Sequence, residues 1–235
     1  MSNWTARVLD GCARFVQRTL APHCVLCGVR GVQSRLCTPC AASLPRLPAA
    51  RCRICALPLT SGSVCGGCTR QPPAYDSVSA PFAYAFPVDS LIHALKYRGN
   101  LSIAPLLAEA LAGISAPAVD ALIPLPLAPG RLRERGFNQA LELARIAGRT
   151  LGIRVLPHAC RKVADTPPQA ALPWKERAGN IRGTFVCDAD LRGMRVAIVD
   201  DVMTTGATLN ELARNVKRAG AVHVSGWIVA RTPRT

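Results

Sequence analysis

The chain has 235 residues, room for one large domain or two unequal ones, and its 49% hydrophobic content argues against wholesale disorder. A formal net charge of +15 is extreme for an ordinary metabolic enzyme. It points to a polyanionic partner, a nucleic acid or an anionic membrane, with an arginine excess set by genome composition as the plainer alternative. No run approaches the roughly 18 apolar residues that a membrane-spanning helix requires, so no transmembrane segment is expected.

In chain order, residues 1–21 read as an amphipathic helix. Trp4, Val8, Cys12, Phe15 and Leu20 fall on one stripe, and Arg7, Asp10, Arg14 and Arg18 interrupt any apolar stretch that would serve as a secretory signal. The chain is therefore expected to be cytoplasmic. Such a helix packs on its own protein or lies at the inner face of a membrane. The charge is uneven: residues 1–72 hold nine arginines against the single acid Asp10, which makes this third the expected polyanion contact.

Residues 22–70 read as a double zinc ribbon. Cys24-x2-Cys27 is followed nine residues later by Cys37-x2-Cys40, and Cys52-x2-Cys55 by Cys65-x2-Cys68 at the same interval. The second set repeats the first at an offset of 28 residues, an internal duplication. Two thiolates at this spacing turn back onto one ion, and two such knuckles complete a tetrahedral S4 shell. Two structural zinc ions are expected, one per repeat, with interleaved pairing and an iron–sulfur cluster as the alternatives. Four filled ligand positions leave none open for catalysis. Cys160 and Cys187 read as isolated core or surface residues.

Arg70 to Ala74 reads as a linker, and 75–235 as a second domain. "FAYAF" (82–86) alternates like a strand, and Val88, Leu91, Ile92 and Leu95 repeat at helical spacing up to Gly99. A helix over 101–113, a buried strand at "VDALIPL", a helix from Asn138 to Gly152 and a strand over 153–157 follow. Residues 161–180 read as a loop. "MRVAIVD" is a strand, 208–219 a helix, and "AVHVSGWIVAR" a last strand. Strands alternating with helices predict an α/β fold, a mainly parallel sheet with helices on both faces. Ligands in such sheets sit at the carboxyl ends of the strands, where Asp200 and Asp201 fall.

The next residues are Val202, Met203 and then a turn of Thr204, Thr205, Gly206, Ala207 and Thr208 leading into a helix. A glycine and threonine turn at a helix N-terminus offers N–H groups, hydroxyls and the positive end of a dipole to a phosphate. Carboxylates one step away suit the hydroxyls of a sugar, so a ribose 5-phosphate fits. An Asx turn with a threonine N-cap is the structural alternative.

"VAIVDDVMTTGAT" (196–208) closely resembles the signature of type I phosphoribosyltransferases. "HALKYRG" (93–99), "IPLPLAPGRLRERGFNQALELA" (123–144) and "DTPPQAALPWKERAGNIRGTF" (165–185), behind a cysteine ribbon, resemble the competence protein F family, also called ComF or GntX-like. The resemblance covers about 24–231. It implies a type I phosphoribosyltransferase-like fold in which Asp200 and Asp201 hold the ribose 2′ and 3′ hydroxyls of phosphoribosyl pyrophosphate (PRPP), and 204–208 wrap its 5-phosphate. It also implies Mg²⁺, bound largely through pyrophosphate and ribose oxygens. "PLPLAPGR" becomes the pyrophosphate loop, with Arg131 and Arg135 as anion contacts and Lys96 as a further phosphate candidate. Residues 161–180 become a closing hood carrying Gln169, Arg177 and Asn180. Asn138 has the plainer role of capping its helix.

Two functions follow. In the first, an acceptor nitrogen attacks C1 of the ribose as pyrophosphate leaves, with Asp200 or Asp201 available to take a proton. No nucleobase-specificity motif is present, and the acceptor stays open. In the second, the chain is a non-catalytic module of DNA uptake, its PRPP site sensory or vestigial. Arg30, Arg35, Arg46, Arg51, Arg53 and Arg70 then contact single-stranded DNA, or the ribbons dock competence or DNA-import proteins.

Overall fold

The computed structural model describes residues 23–32, 34–114, 116–163 and 183–233. The expected N-terminal helix, Cys12, Gln169, Arg177 and Asn180 lie outside the described residues. Two compact units divide the chain, Met1–Leu44 and Pro45–Thr235.

The 28-residue repeat is written into the backbone as well as the sequence. In the first unit a His23–Arg30 bridge closes a knuckle in which the Cys24 N–H donates to Val29 O at 2.9 Å and the Gly28 N–H to Cys24 O at 2.9 Å. In the second unit Arg51 bridges Pro58, Cys52 N–H donates to Leu57 O at 2.7 Å, and Ala56 N–H to Cys52 O at 2.8 Å. Each knuckle needs one left-handed residue. Gly28 supplies it at φ 75°, and Ala56 takes the same conformation at φ 58°. Each repeat ends in one helical turn, α1 (Thr38–Ala42) and α2 (Gly66–Arg70).

The rest of the second unit is built on a parallel sheet. Its strands are β1 (Ser77–Ser79), β2 (Phe82–Ala83), β3 (Ala121–Pro124), β4 (Arg154–Val155), β7 (Arg195–Met203) and β8 (His223–Arg231), in the order β1-β8-β7-β3-β4 with β2 also on β8. Ile123 lies opposite Ile198, and Ile198 opposite Gly226. Val196, Ala197, Ile198 and Val199 are fully buried, as a central strand covered on both faces must be.

The helices are α3 (Val88–Arg98), α4 (Ala104–Ala112), α5 (Pro129–Arg135), α6 (Gln139–Leu151) and α7 (Ala207–Arg218). The chain runs from β3 through α6 outward to β4, and from β7 through α7 the opposite way to β8. Right-handed crossovers then put α6 and α7 on opposite faces. Gly148 of α6 has no room for a side chain, since a Cβ there would lie 2.7 Å from Ile153 O. The order reverses between β3 and β7, and the crevice at their carboxyl ends is the expected ligand position.

The observed elements follow the predicted order with several differences. β1 and α5 form where no element was expected, α5 on the segment read as the pyrophosphate loop. The strand over 82–86 shrinks to Phe82–Ala83. The strand carrying the aspartates runs on to Met203, because β8 continues to pair with it through Val202 and Met203, so the carboxylates are set within the strand and not beyond it. The start of the segment read as a loop forms β5 (Cys160–Lys162), paired antiparallel with β6 (Phe185–Cys187). This register places Cys160 opposite Cys187, so neither cysteine is isolated.

Candidate phosphoribosyl site and cysteine clusters

Asp201 is 2% exposed, and a carboxylate so buried needs a partner. Lys96, on the last turn of α3, provides it with Nζ 2.8 Å from Oδ1. The other oxygen, Oδ2, is buried with no hydrogen-bond donor among the described residues. Asp200 is half-buried, and its Oδ1 accepts from the Asp201 N–H at 2.8 Å. Burial, then the neighbouring Asp201 charge, pushes the Asp200 carboxyl well above the usual range, against the pull of Lys96. Burial works against the Lys96 ammonium, but the charges of Asp201 and Asp200 outweigh it and hold its pKa up. Lys96 is thus committed to a carboxylate, where the sequence offered it to a phosphate.

The Thr204–Thr208 turn opens α7. Gly206 is its N-cap at φ 81°, and Ala207 N–H donates to Thr205 Oγ1 at 3.1 Å. A Cβ on Gly206 would lie 2.4 Å from Met203 Cε and 3.1 Å from Tyr75 Oη, so a side chain there must push aside the flexible end of Met203, while the positive φ is what favours glycine. The first turn of α7 holds no acid and the last holds Lys217 and Arg218, a polarity that leaves the N-terminus open to an anion.

After β3, Leu125 N–H donates to Val199 O at 2.9 Å. Asn138 caps α6 by accepting from Ala140 N–H at 2.9 Å, and its Nδ2 donates to Leu125 O at 3.1 Å. The capping asparagine therefore also pins the "PLPL" segment beside the aspartate strand. Arg131 and Arg135 share a cavity of about 300 Å³ with Lys96, Tyr97 and Phe137. Arg135 donates to Gln139 Oε1, and its guanidinium lies 5.5 Å from the Tyr97 ring centre. Lys96 is thus the residue the two groups have in common, paired with Asp201 on one side and sharing the cavity of Arg131 and Arg135 on the other.

Among the described residues two groups of four cysteines meet the requirement for a metal. They are Cys24, Cys27, Cys37 and Cys40, and Cys52, Cys55, Cys65 and Cys68, each with its sulfurs within 4.8 Å of one another. Pairing is therefore within each repeat and not interleaved. The second group is fully buried, and the Cys65 N–H donates to Cys52 Sγ at 3.3 Å. Burial opposes the Cys52 thiolate, but N–H groups of Cys65, Cys55 and Ile54 prevail and hold it at about 7. Burial raises Cys68 far above the ordinary thiol value. In the first group Cys24 is lowered to about 6 by backbone donors despite burial, whereas Cys40 is pushed to about 12, chiefly by its contact with Cys37. In each group one thiolate forms readily while two partners, Cys27 and Cys40 in the first and Cys55 and Cys68 in the second, resist without a cation, as suits a divalent metal shell.

Sequence reasoning missed Tyr75, Tyr97 and Arg231. Tyr75 is buried and reaches Gly206. Arg231, 2% exposed, was legible only as an arginine closing an apolar strand, which is itself a signal, because a charge so placed must find partners.

The cysteine clusters, the parallel sheet and its carboxylate crevice define a class: a zinc-ribbon protein with a type I phosphoribosyltransferase-like domain. Residues 15–69 match the double zinc ribbon domain family. The chain is 33% identical to DNA utilization protein YhgH of Escherichia coli O6:H1 over 177 residues, 71% of this chain and 77% of the relative. It is equally identical, over the same shares, to competence protein F of Haemophilus influenzae. The chain belongs to the competence protein F family. Solved structures similar to it include glutamine PRPP amidotransferase from B. subtilis, at 23% identity, TM-score 0.39, 55% of this chain and 26% of that one. Purine phosphoribosyltransferase from Pyrococcus horikoshii matches at 22% identity, TM-score 0.30, 63% of this chain and 82% of that one. No helix among the described residues is long and apolar enough to cross a membrane.

Proposed function

We propose that this chain binds PRPP at the end of β7 and acts in DNA utilization, as the name of one relative has it, through a role in DNA uptake that the competence of the other suggests. The observation that carries the reading is the buried Asp201, held by Lys96 through one oxygen with the other lacking a donor among the described residues, three residues before the Thr204–Thr208 turn at the N-terminus of α7. Asp200 and Asp201 take the ribose hydroxyls, and Thr204, Thr205, Gly206, Ala207 and Thr208 take the 5-phosphate, with Val202 and Met203 carrying the chain between them. Arg131 and Arg135 serve the pyrophosphate as anion contacts, Arg135 oriented by Gln139 and Tyr97. Mg²⁺, held largely by the pyrophosphate and ribose oxygens, would supply positive charge against the departing pyrophosphate. Two zinc ions fill the cysteine clusters.

In the enzymatic reading the protein holds the ribose and pyrophosphate while an acceptor nitrogen attacks C1. Asp200, with its raised pKa, is the carboxylate suited to take the acceptor's proton. The alternative is a binding module whose PRPP site senses rather than transfers, with the basic ribbons on single-stranded DNA. Pyrophosphate release separates the two. With PRPP present, release that depends on an added nucleobase or oligonucleotide supports transfer, and PRPP binding without release supports the sensory site.

A further inference from the structure

Arg231 ends β8 inside the second unit, and its guanidinium donors are directed at backbone carbonyls. Nε donates to Cys55 O at 2.9 Å. Nη1 donates to Met203 O at 2.9 Å, to Thr232 O at 2.8 Å and to Thr204 O. Cys55 belongs to the second cysteine cluster, and Met203 and Thr204 lead into the candidate phosphate turn. One buried cation, 176 residues from Cys55 in sequence, therefore joins a metal knuckle to that turn.

The peptide unit is planar and trans, so its C=O and N–H point in opposite directions. Drawing the Met203 and Thr204 carbonyls toward Arg231 turns the N–H groups of Thr204 and Thr205 the other way. Orienting these donors is what an anion at the turn requires. The knuckle end of the link is equally constrained. Cys55 O is presented by the peptide that enters Ala56, the residue held in the left-handed conformation. Tyr75 lies against the same assembly, its Oη meeting Gly206, and Cys55, Cys68, Tyr75, Gly206 and Arg231 share a cavity of about 690 Å³.

We propose that Arg231 is a positioning residue that couples metal occupancy of the Cys52–Cys55–Cys65–Cys68 cluster to the shape of the Thr204–Thr208 turn. With the second ribbon metal-loaded, Cys55 O is fixed, Arg231 is fixed and the turn's donors are aimed. With the ribbon empty, the turn loses its anchor and its affinity for phosphate. The identity of the ligand rests on the PRPP reading, whereas the coupling itself does not.

The test is hydrogen exchange of the full chain, with PRPP affinity measured in parallel. Arg231→Lys keeps the charge but cannot span the same carbonyls. The variant should retain two zinc ions per chain and a cooperative unfolding transition. Exchange over 204–208 should rise at least tenfold while that of 196–199 stays unchanged, and PRPP affinity should fall at least tenfold. Zinc chelation of the wild type should reproduce both changes and should add little to Arg231→Lys. A Cys24→Ser/Cys27→Ser variant, which disarms only the first cluster, should leave the turn's exchange as it was. The proposal is overturned if Arg231→Lys preserves the turn's protection, if chelation affects it as strongly as the wild type, or if disarming the first cluster loosens the turn equally. Should the wild type fail to bind PRPP, the PRPP reading falls while the exchange measurements still decide the coupling.

Discussion

The Lys96–Asp201 pair joins α3 to the end of β7 with the carboxylate side chain 3% exposed. Removing one partner of such a pair leaves the other charge buried and uncompensated, which typically costs about 3–5 kcal/mol. Lys96→Met should therefore lower stability by about 3 kcal/mol in chemical denaturation. Adding Asp201→Asn should restore part of the loss, because the orphaned charge disappears with it. Equal or greater destabilisation of the double variant would contradict the pairing. Asp200 behaves in the opposite sense. Its folded-state pKa lies above the ordinary carboxylate value. The stability it contributes is present below pH ~4 and is lost as pH rises through the raised value. Asp200→Asn should melt higher than wild type at pH 7 to 8, by about 2–4 °C for each kcal/mol relieved, with the two curves converging toward pH 4. A carboxylate kept at a cost to stability is what a ligand site retains.

The decisive element is the turn between β7 and α7. Gly206 combines a left-handed backbone with a close approach of the Met203 methyl, which a side chain at 206 would displace. Gly206→Ala should cost about 1–3 kcal/mol from the backbone and more from the displaced Met203. It should weaken phosphate binding even at temperatures where the variant remains folded, a loss readable by titration with PRPP. Elements of this kind were legible because their signals are local. The apolar run into two aspartates, the threonine and glycine turn, Asn138 before α6 and glycine after α3 all declare themselves within a few residues. The β5–β6 pair escaped for the same reason, since three-residue strands flanking a proline-rich segment carry too little periodicity to register. The extension of β7 to Met203 is dictated by β8, a partner that sequence pattern does not place.

At the scale of the whole molecule, the cysteine spacing disclosed both clusters, and their geometry settled the pairing that spacing left open. What stayed hidden was long-range: Lys96 bound to Asp201, Asn138 tied to Leu125, and Arg231 joined to Cys55. The charge of +15 belongs to this scale as well. If the ribbons hold single-stranded DNA through arginine and phosphate contacts, affinity should fall by at least tenfold between 50 and 200 mM salt, with little dependence on base sequence. Deleting residues 1–72 should abolish the binding, whereas salt-independent affinity in a filter or anisotropy assay would assign the charge another role.

Everything proposed for the sheet rests on β7 and its turn working as a phosphoribosyl site. Calorimetric titration of the zinc-loaded protein with PRPP and Mg²⁺, beside Asp200→Asn/Asp201→Asn, tests it most directly. Wild type should bind saturably and the variant should lose about 100-fold or more, since the two carboxylates that hold the ribose hydroxyls are removed. A folded wild type that gives no heat of binding, or a variant that binds as tightly as the wild type, would contradict it.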